Sequence, residues 1–314
     1  MKKKVTYILL AILILVLLIL IGGSIYLLRY SLTPNIQRDT TRSFERAYRS
    51  YPYLENWVDS LNSESALRDT FIINREGKRL HSYYISASEP TAKTAMLIHG
   101  YTDNAISMLM LGHLYNREWN YNVFLPDLQY HGLSEGRAIQ MGWKDRLDVM
   151  EWMDVANHLY GDSARIVVHG ISMGAATTMM VSGEDVPDYV RCFVEDCGYT
   201  SVWDEFSQEI QVRFNLPVFP LLYTGDWLCR IKYGWGMKEA SSLEQVKKSR
   251  LPMYFIHGDE DTFVPTWMVY PLYEAKPGPK ELWIVPQTKH AVAFYNHPVE
   301  YAARVKSFVD KYIP

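Results

Sequence analysis

The run Gly170-Ile171-Ser172-Met173-Gly174 sets a serine between two glycines, each one residue removed. It follows the apolar stretch Arg165 to His169 and leads into the helical pattern Met173 to Val181. A serine on a sharp strand-to-helix turn is presented outward, near a helix N-terminus that favours developing negative charge. Its hydroxyl is a weak nucleophile at neutral pH, so a histidine must take the proton and a carboxylate must hold that histidine. Candidates for both lie downstream. Asp259, Glu260 and Asp261 follow Gly258 after the apolar run Met253 to His257, at the carboxyl end of a strand, where sites of open α/β sheets assemble. One of these acids is the expected orienting group. His290 ends the loop Gln287-Thr288-Lys289-His290 after the run Glu281 to Val285. His297 precedes Pro298 at a helix start and reads as a cap or surface residue, whereas His99, His131, His169 and His257 each precede a glycine and read as loop-shaping. Two backbone amides can serve a developing oxyanion: that of Met173, next after the serine, and that of Tyr101 in the turn His99-Gly100-Tyr101. The Tyr101 ring reads equally as a substrate contact or as packing. No metal or cofactor enters this chemistry.

Positioning such residues calls for a sheet with helices between its strands. Thr70 to Asn74 and His81 to Ala87 flank a Glu76-Gly77 turn and predict a hairpin. Short apolar runs follow at Thr94 to His99, Asn122 to Pro126, Arg165 to His169, Arg191 to Glu195, Met253 to His257 and Glu281 to Val285. Helical patterns at Trp143 to Tyr160, Met173 to Val181 and Thr266 to Glu274 alternate with them, which predicts a mostly parallel sheet covered on both faces. From about Tyr199 to Arg250 that rhythm breaks. Phe206, Phe214, Phe219, Tyr223, Trp227, Tyr233 and Trp235 stand there among Pro and Gly, as in an inserted helical cap with a small core and an apolar pocket wall.

The first residues tell a separate story. Val5 to Leu28 is an uncharged stretch of about 24 residues, longer than the roughly 20 needed to cross a bilayer, and Lys2, Lys3 and Lys4 precede it. The positive-inside rule keeps residues 1–4 cytoplasmic and places the remainder on the extracytoplasmic side. A cleavable signal would have a shorter apolar region and a small-residue exit, neither of which occurs around Gly22-Gly23-Ser24. Residues 29–66 read as a polar stalk ending in an amphipathic helix carrying Leu54, Trp57, Val58 and Leu61. Residues 67–314 remain for one catalytic domain, with the cap at about 199–250. A net charge of −3 argues against a nucleic-acid surface, and no obligate protein partner is implied. Cys192, Cys197 and Cys229 lack metal-ligand spacing and read as free thiols.

His99-Gly100-Tyr101, Asp127 with His131-Gly132-Leu133-Ser134, Gly170-Ile171-Ser172-Met173-Gly174, Gly258-Asp259-Glu260-Asp261-Thr262-Phe263-Val264-Pro265 and His290 together resemble the α/β-hydrolase superfamily over Thr70 to the C-terminus. The pattern looks closest to its esterase and serine-aminopeptidase-like group. In that group the acid stands three residues after the H-G glycine, which implies Asp261 and leaves Asp259 as a turn residue. Gln129 and Tyr130 stand where an arginine and glycine are familiar before the histidine. The resemblance implies an α/β-hydrolase fold with a cap and a Ser172–His290–Asp261 triad. Ester hydrolysis is the leading expectation. Cleavage of short peptides is the second, with Asp204, Glu205 and Glu209 as possible receivers of a charged terminus. A tethered binding module that kept the fold without activity is the third, disfavoured by the complete triad.

Overall fold

A computed structural model describes residues 2–36 and 38–314, so Met1 of the basic start and Gln37 of the expected stalk lie outside the described residues. Its centre is an eight-stranded sheet of β1 (Arg68–Ile73), β2 (Arg79–Ile85), β3 (Lys93–Ile98), β4 (Asn122–Pro126), β5 (Arg165–Ile171), β6 (Val190–Asp196), β7 (Met253–Gly258) and β8 (Lys280–Val285). The spatial order is β1-β2-β4-β3-β5-β6-β7-β8. The pairs β1/β2 and β2/β4 are antiparallel and all later neighbours are parallel. The order reverses between β3 and β4, and β3 and β5 lie side by side, which puts the loop ends after both strands at one place on the sheet rim.

The helices in chain order are α1 (Lys2–Leu32), α2 (Thr40–Ser50), α3 (Tyr53–Ser63), α4 (Leu109–His113), α5 (Asp145–Leu159), α6 (Met173–Ser182), α7 (Val202–Phe214), α8 (Leu221–Tyr233), α9 (Ser242–Val246), α10 (Val269–Ala275), α11 (Ala293–Asn296) and α12 (Pro298–Val309). Successive side chains of a strand face opposite ways, and here both faces are covered. Met96 and Ile98 enter a core with Trp152 of α5 and Met179 of α6, while Ala95 and Leu97 enter a second core with Leu54 and Trp57 of α3 and Phe308 of α12. That is why β3 reads as an unbroken apolar run. Between β6 and β7 the chain builds α7, α8 and α9, the first two forming the cap.

The N-terminal segment departs from expectation in an informative way. The apolar helix does not end at Leu28: α1 continues through Leu32, and of its residues Ser24, Leu28 and Leu32 are buried at i, i+4 and i+8. Most of α1 before them stands clear of the domain. Burying Leu28 and Leu32 supplies about 2 kcal/mol each. The residues expected to form a stalk are instead stitched to the domain. Ile139 N donates to Leu32 O (2.8 Å), Tyr130 Oη to Pro34 O (3.2 Å), and the Arg38 guanidinium to Ser134 O and Tyr130 O. Satisfying carbonyls at the end of α1 removes the reason for a free linker there. In α3, Leu54, Trp57, Val58 and Leu61 are the buried stripe.

Candidate active site

Ser172 sits between the last residue of β5 and the first of α6 with φ 57° and ψ −118°, a conformation that crowds a side chain against the backbone. The flanking glycines make it possible. A Cβ on Gly174 would lie 2.0 Å from Ile98 O, and one on Gly170 would lie 2.1 Å from Gly174 O. The turn is thus wedged against the end of β3.

His290 Nδ1 lies 2.7 Å from Asp261 Oδ2, and His290 Nε2 lies 2.8 Å from Ser172 Oγ. An ionised carboxylate accepts only, so the proton resides on Nδ1 and leaves Nε2 free to accept from the serine hydroxyl. Asp261 Oδ1 accepts the amides of Phe263 and Val264, each at 3.0 Å, which fixes the carboxyl plane. Burial alone would raise the Asp261 pKa, but hydrogen bonds from His257 and His290, with the charges of both rings, outweigh it and hold the carboxyl below its usual value. Asp259 is exposed and accepts the Thr288 amide at 3.3 Å, a turn role. His297 is occupied at Pro286 O. Cys197, Asp261 and His290 bring possible ligand atoms within 4.8 Å of one another. The latter two are already engaged in the triad contacts, and burial holds the Cys197 thiol well above its usual pKa.

The oxyanion side is built from the turn after β3. A Cβ on Gly100 would lie 3.5 Å from Ser172 Cβ, so the peptide leading to Tyr101 runs directly beside the nucleophile. Met173 heads α6, where an amide has no carbonyl one turn earlier to receive it. Two histidines shape the turn. His99 Nδ1 donates to Gly100 O (2.8 Å) while its Nε2 accepts from Leu128 N (3.0 Å). His131 Nδ1 donates to Gln129 O (2.9 Å) and its Nε2 accepts the Thr102 amide (3.2 Å). Burial, and next the neighbouring His99, lower the His131 pKa well below normal, which keeps that ring neutral and able to accept. Asp127 ties the same region together: it receives His81 Nδ1 (2.7 Å), Ala105 N (2.8 Å) and Leu133 N (2.9 Å).

Tyr101 lines the catalytic cavity and also tethers α1. Its hydroxyl donates to Ser31 O of α1 at 2.8 Å, and burial pushes its pKa up to about 12. Ser172 opens into a cavity between α1 and the cap. Ser24, Leu27, Leu28, Tyr30 and Ser31 of α1 form one wall, and Phe206, Ile210, Phe214, Leu221 and Leu222 of the cap form another. Sequence reasoning missed the α1 wall altogether. Of the acids considered for a charged terminus, Glu205 and Glu209 line the cavity, while Asp204 is consumed by the hydroxyls of Thr200 and Ser201. Burial, followed by the charges of Glu209 and Asp261, lifts the Glu205 pKa well above normal. Glu209 pairs with Arg213 at 3.0 Å, and Arg213 also donates to Tyr30 Oη.

Residues 127–314, which include Ser172, Asp261 and His290, match the sequence profile of the prolyl oligopeptidase family. The chain belongs to that family. Within the prolyl oligopeptidase family's α/β-hydrolase fold, the structure is similar to the Pyrococcus furiosus esterase Pf2001, with a TM-score of 0.64 at 24% identity, covering 79% of this chain and 93% of that one. Protein YqkD of Bacillus subtilis is 28% identical over 258 residues, 82% of this chain and 84% of its own. The Saccharomyces cerevisiae membrane protein YNL320W is 24% identical over 243 residues, 75% of this chain and 78% of its own. The chain is therefore a hydrolase of this family, carrying one N-terminal helix long and apolar enough to cross a membrane.

Proposed function

We propose that this hydrolase cleaves carboxylic esters through an acyl-enzyme on Ser172. The supporting observation is the continuous hydrogen-bonded line from Ser172 Oγ through His290 to Asp261, set at the floor of a mainly apolar cavity. Ser172 Oγ attacks the ester carbonyl carbon as its proton passes to His290 Nε2, and the oxyanion is met by the amides of Met173 and Tyr101. Collapse breaks the carbonyl carbon to alkoxy oxygen bond, and the leaving alkoxide takes the proton from Nε2 to depart as an alcohol. Water then loses a proton to His290 Nε2 and attacks the acyl carbon; collapse breaks the acyl carbon to Oγ bond, and Oγ takes the proton back from Nε2, which releases a carboxylic acid and free Ser172.

Peptide cleavage is the second reading, favoured by Glu205 and Glu209 in the cavity and by the family's name. Two features weigh against it. Glu209 is already paired with Arg213, and burial disfavours the charged form of Glu205, which makes it a poor receiver of an amino terminus. The decisive comparison uses the full-length protein in detergent: labelling by a fluorophosphonate probe with Ser172→Ala as control, then turnover of p-nitrophenyl esters against peptide p-nitroanilides. Labelling with ester turnover supports the proposal. Labelling with turnover of anilides alone transfers it to peptides.

The same reading sends α1 across a bilayer from Val5, its Leu28 end docked on the domain, with Lys2, Lys3 and Lys4 on the cytoplasmic side and the catalytic domain outside. The YNL320W relative, itself named a membrane protein, and the exposed apolar surface of α1 support the attachment, and the three lysines alone support the orientation. Protease added to intact cells should digest the domain. Protection of the domain in intact cells, with digestion in everted vesicles, would reverse the orientation.

A further inference from the structure

A helix rises 1.5 Å per residue, so starting at Val5 a hydrocarbon core of about 30 Å is used up at Ser24. Ser24 is also the first residue of α1 to line the catalytic cavity, and Leu27, Leu28, Tyr30 and Ser31 continue that wall. The wall thus begins where the hydrocarbon ends. The cap meets α1 at the same height. Ser24 Oγ donates to Leu221 O at 3.1 Å, and Gly23 leaves room for the Leu221 side chain, which would stand 3.4 Å from an added Cβ. The start of α8 and the loop before it therefore lie at the level of the bilayer boundary.

That part of the cap is apolar on its outside. Phe219 is 71% exposed and Trp227 is 57% exposed, and the half-exposed Tyr223 has its ring 5.6 Å from that of Phe219, with the Lys238 ammonium 4.7 Å over it. Val212 and Leu216 are also exposed near the end of α7, as is Tyr26 on α1. A contiguous group of large exposed apolar side chains marks an interaction surface, and amphipathic aromatics favour the headgroup layer. Continuity with the spanning helix suggests what that surface meets: α8 begins against α1 at Leu221, so the loop carrying Phe219 stands at the level where α1 leaves the hydrocarbon.

We infer that the cavity is filled from the membrane, its substrate being a lipid ester of the bilayer that holds α1, with the acyl chain entering along Ser24 to Ser31 and the α7–α8 end of the cap resting among the headgroups. The ester chemistry rests on the function proposed above. The route rests on α1 and the cap alone. A hydrocarbon tail entering beside α1 has Leu27 and Leu28 on one wall and Phe206, Ile210 and Phe214 on the other, in the same cavity that Ser172 lines, with the Glu209–Arg213 pair as its charged part. It never crosses water.

Two measurements on the full-length protein in dioleoylphosphatidylcholine vesicles test this. In the first, Phe219→Glu combined with Trp227→Glu, neither of them a cavity residue, is assayed on monooleoylglycerol incorporated in the vesicles and on soluble p-nitrophenyl butyrate. The expected result is at least a tenfold loss on the vesicle ester with the soluble ester within twofold of wild type. Equal retention of both overturns the inference, as does a wild-type enzyme that turns over the soluble ester but not the vesicle ester. In the second, Phe219→Cys and Val299→Cys, the latter on α12 across the sheet, carry an environment-sensitive fluorophore; the native thiols Cys192, Cys197 and Cys229 are buried. Nitroxide lipids should quench position 219 and spare 299. Absence of quenching at 219 overturns the membrane route whatever the activity. Quenching at 219 without fluorophosphonate labelling or ester turnover overturns the ester chemistry, and with it the substrate class, and leaves the docking geometry standing.

Discussion

Asp261→Asn probes the proposed mechanism most sharply, because the structure dictates how the amide will lie. The Phe263 and Val264 amides both donate to Oδ1 at 3.0 Å, so the asparagine carbonyl oxygen must take that position. Its NH2 then points at His290 Nδ1, 2.7 Å away in the native site. Two donors cannot face each other, so the imidazole shifts its proton to Nε2, which now donates toward Ser172 Oγ and cannot accept from it. Holding the wrong tautomer in a triad lowers kcat about 10⁴-fold, equivalent to roughly 5.5 kcal/mol of barrier. Both backbone amides keep a partner, so folding should be little affected. The assay is p-nitrophenyl butyrate hydrolysis by the full-length protein in detergent, with a thermal scan of each variant. Asp259→Asn, at an exposed turn, should stay within about threefold of wild type, the change expected from losing a weak surface contact. Equal losses at the two positions, or an Asp261→Asn enzyme within tenfold of wild type, would refute both the acid assignment and the tautomer argument.

Three other variants read separate parts of the structure. Burial, and then the nearby Asp148, push the Asp145 pKa up to about 7. An acid raised in the folded state costs stability as pH climbs from its unfolded value near 4 to about 7, so Asp145→Asn should gain about 2–3 kcal/mol more at pH 8 than at pH 5. Thermal scans at the two pH values check this, and a pH-independent difference would contradict it. Gly174→Ala, whose Cβ would lie 2.0 Å from Ile98 O, should lower the melting temperature or abolish soluble expression, whereas Gly22→Ala, with nothing within 4 Å, should do neither. Tyr101→Phe removes the bond to Ser31 O, worth about 0.5–1.5 kcal/mol, and should speed hydrogen exchange over residues 24–36 while Ser172 still labels with fluorophosphonate. Unchanged exchange there would mean that the phenol does not hold α1.

What could be read from sequence follows from how each signal arises. The catalytic strands were legible because both sheet faces are buried, which makes β3 and β5 unbroken apolar runs, and because glycines at 170, 174 and 258 mark where backbones touch. Strand ends moved by only a residue or two. Choosing Asp261 over Asp259 needed the family resemblance, since spacing alone does not reveal which carboxyl turns inward. The inner stripe of α1 was hidden for a different reason: in a helix apolar all round, no periodicity distinguishes the face that docks from the face that meets lipid. The available trace was Gly23, Ser24 and Ser31, small residues where a close helix contact needs them. The cap aromatics likewise split three ways. Phe206 and Phe214 line the cavity, Trp235 is buried with its indole donating to Gln140 Oε1, and Phe219 and Trp227 face outward. Composition sees them as one group because it carries no direction.

Because Tyr101, beside the nucleophile, grips the last turn of α1, the apolar helix and the enzyme cannot be treated as interchangeable modules. A chimera that exchanges residues 2–32 for another protein's single span would deliver the domain to a membrane and leave its acyl cavity open along one side. Cleavage within that helix would open the same side of the cavity. Ser24 and Ser31 are therefore held by the cap and by the turn at Tyr101, and Leu28 is buried as core positions are, while the apolar residues around them on α1 are mostly exposed.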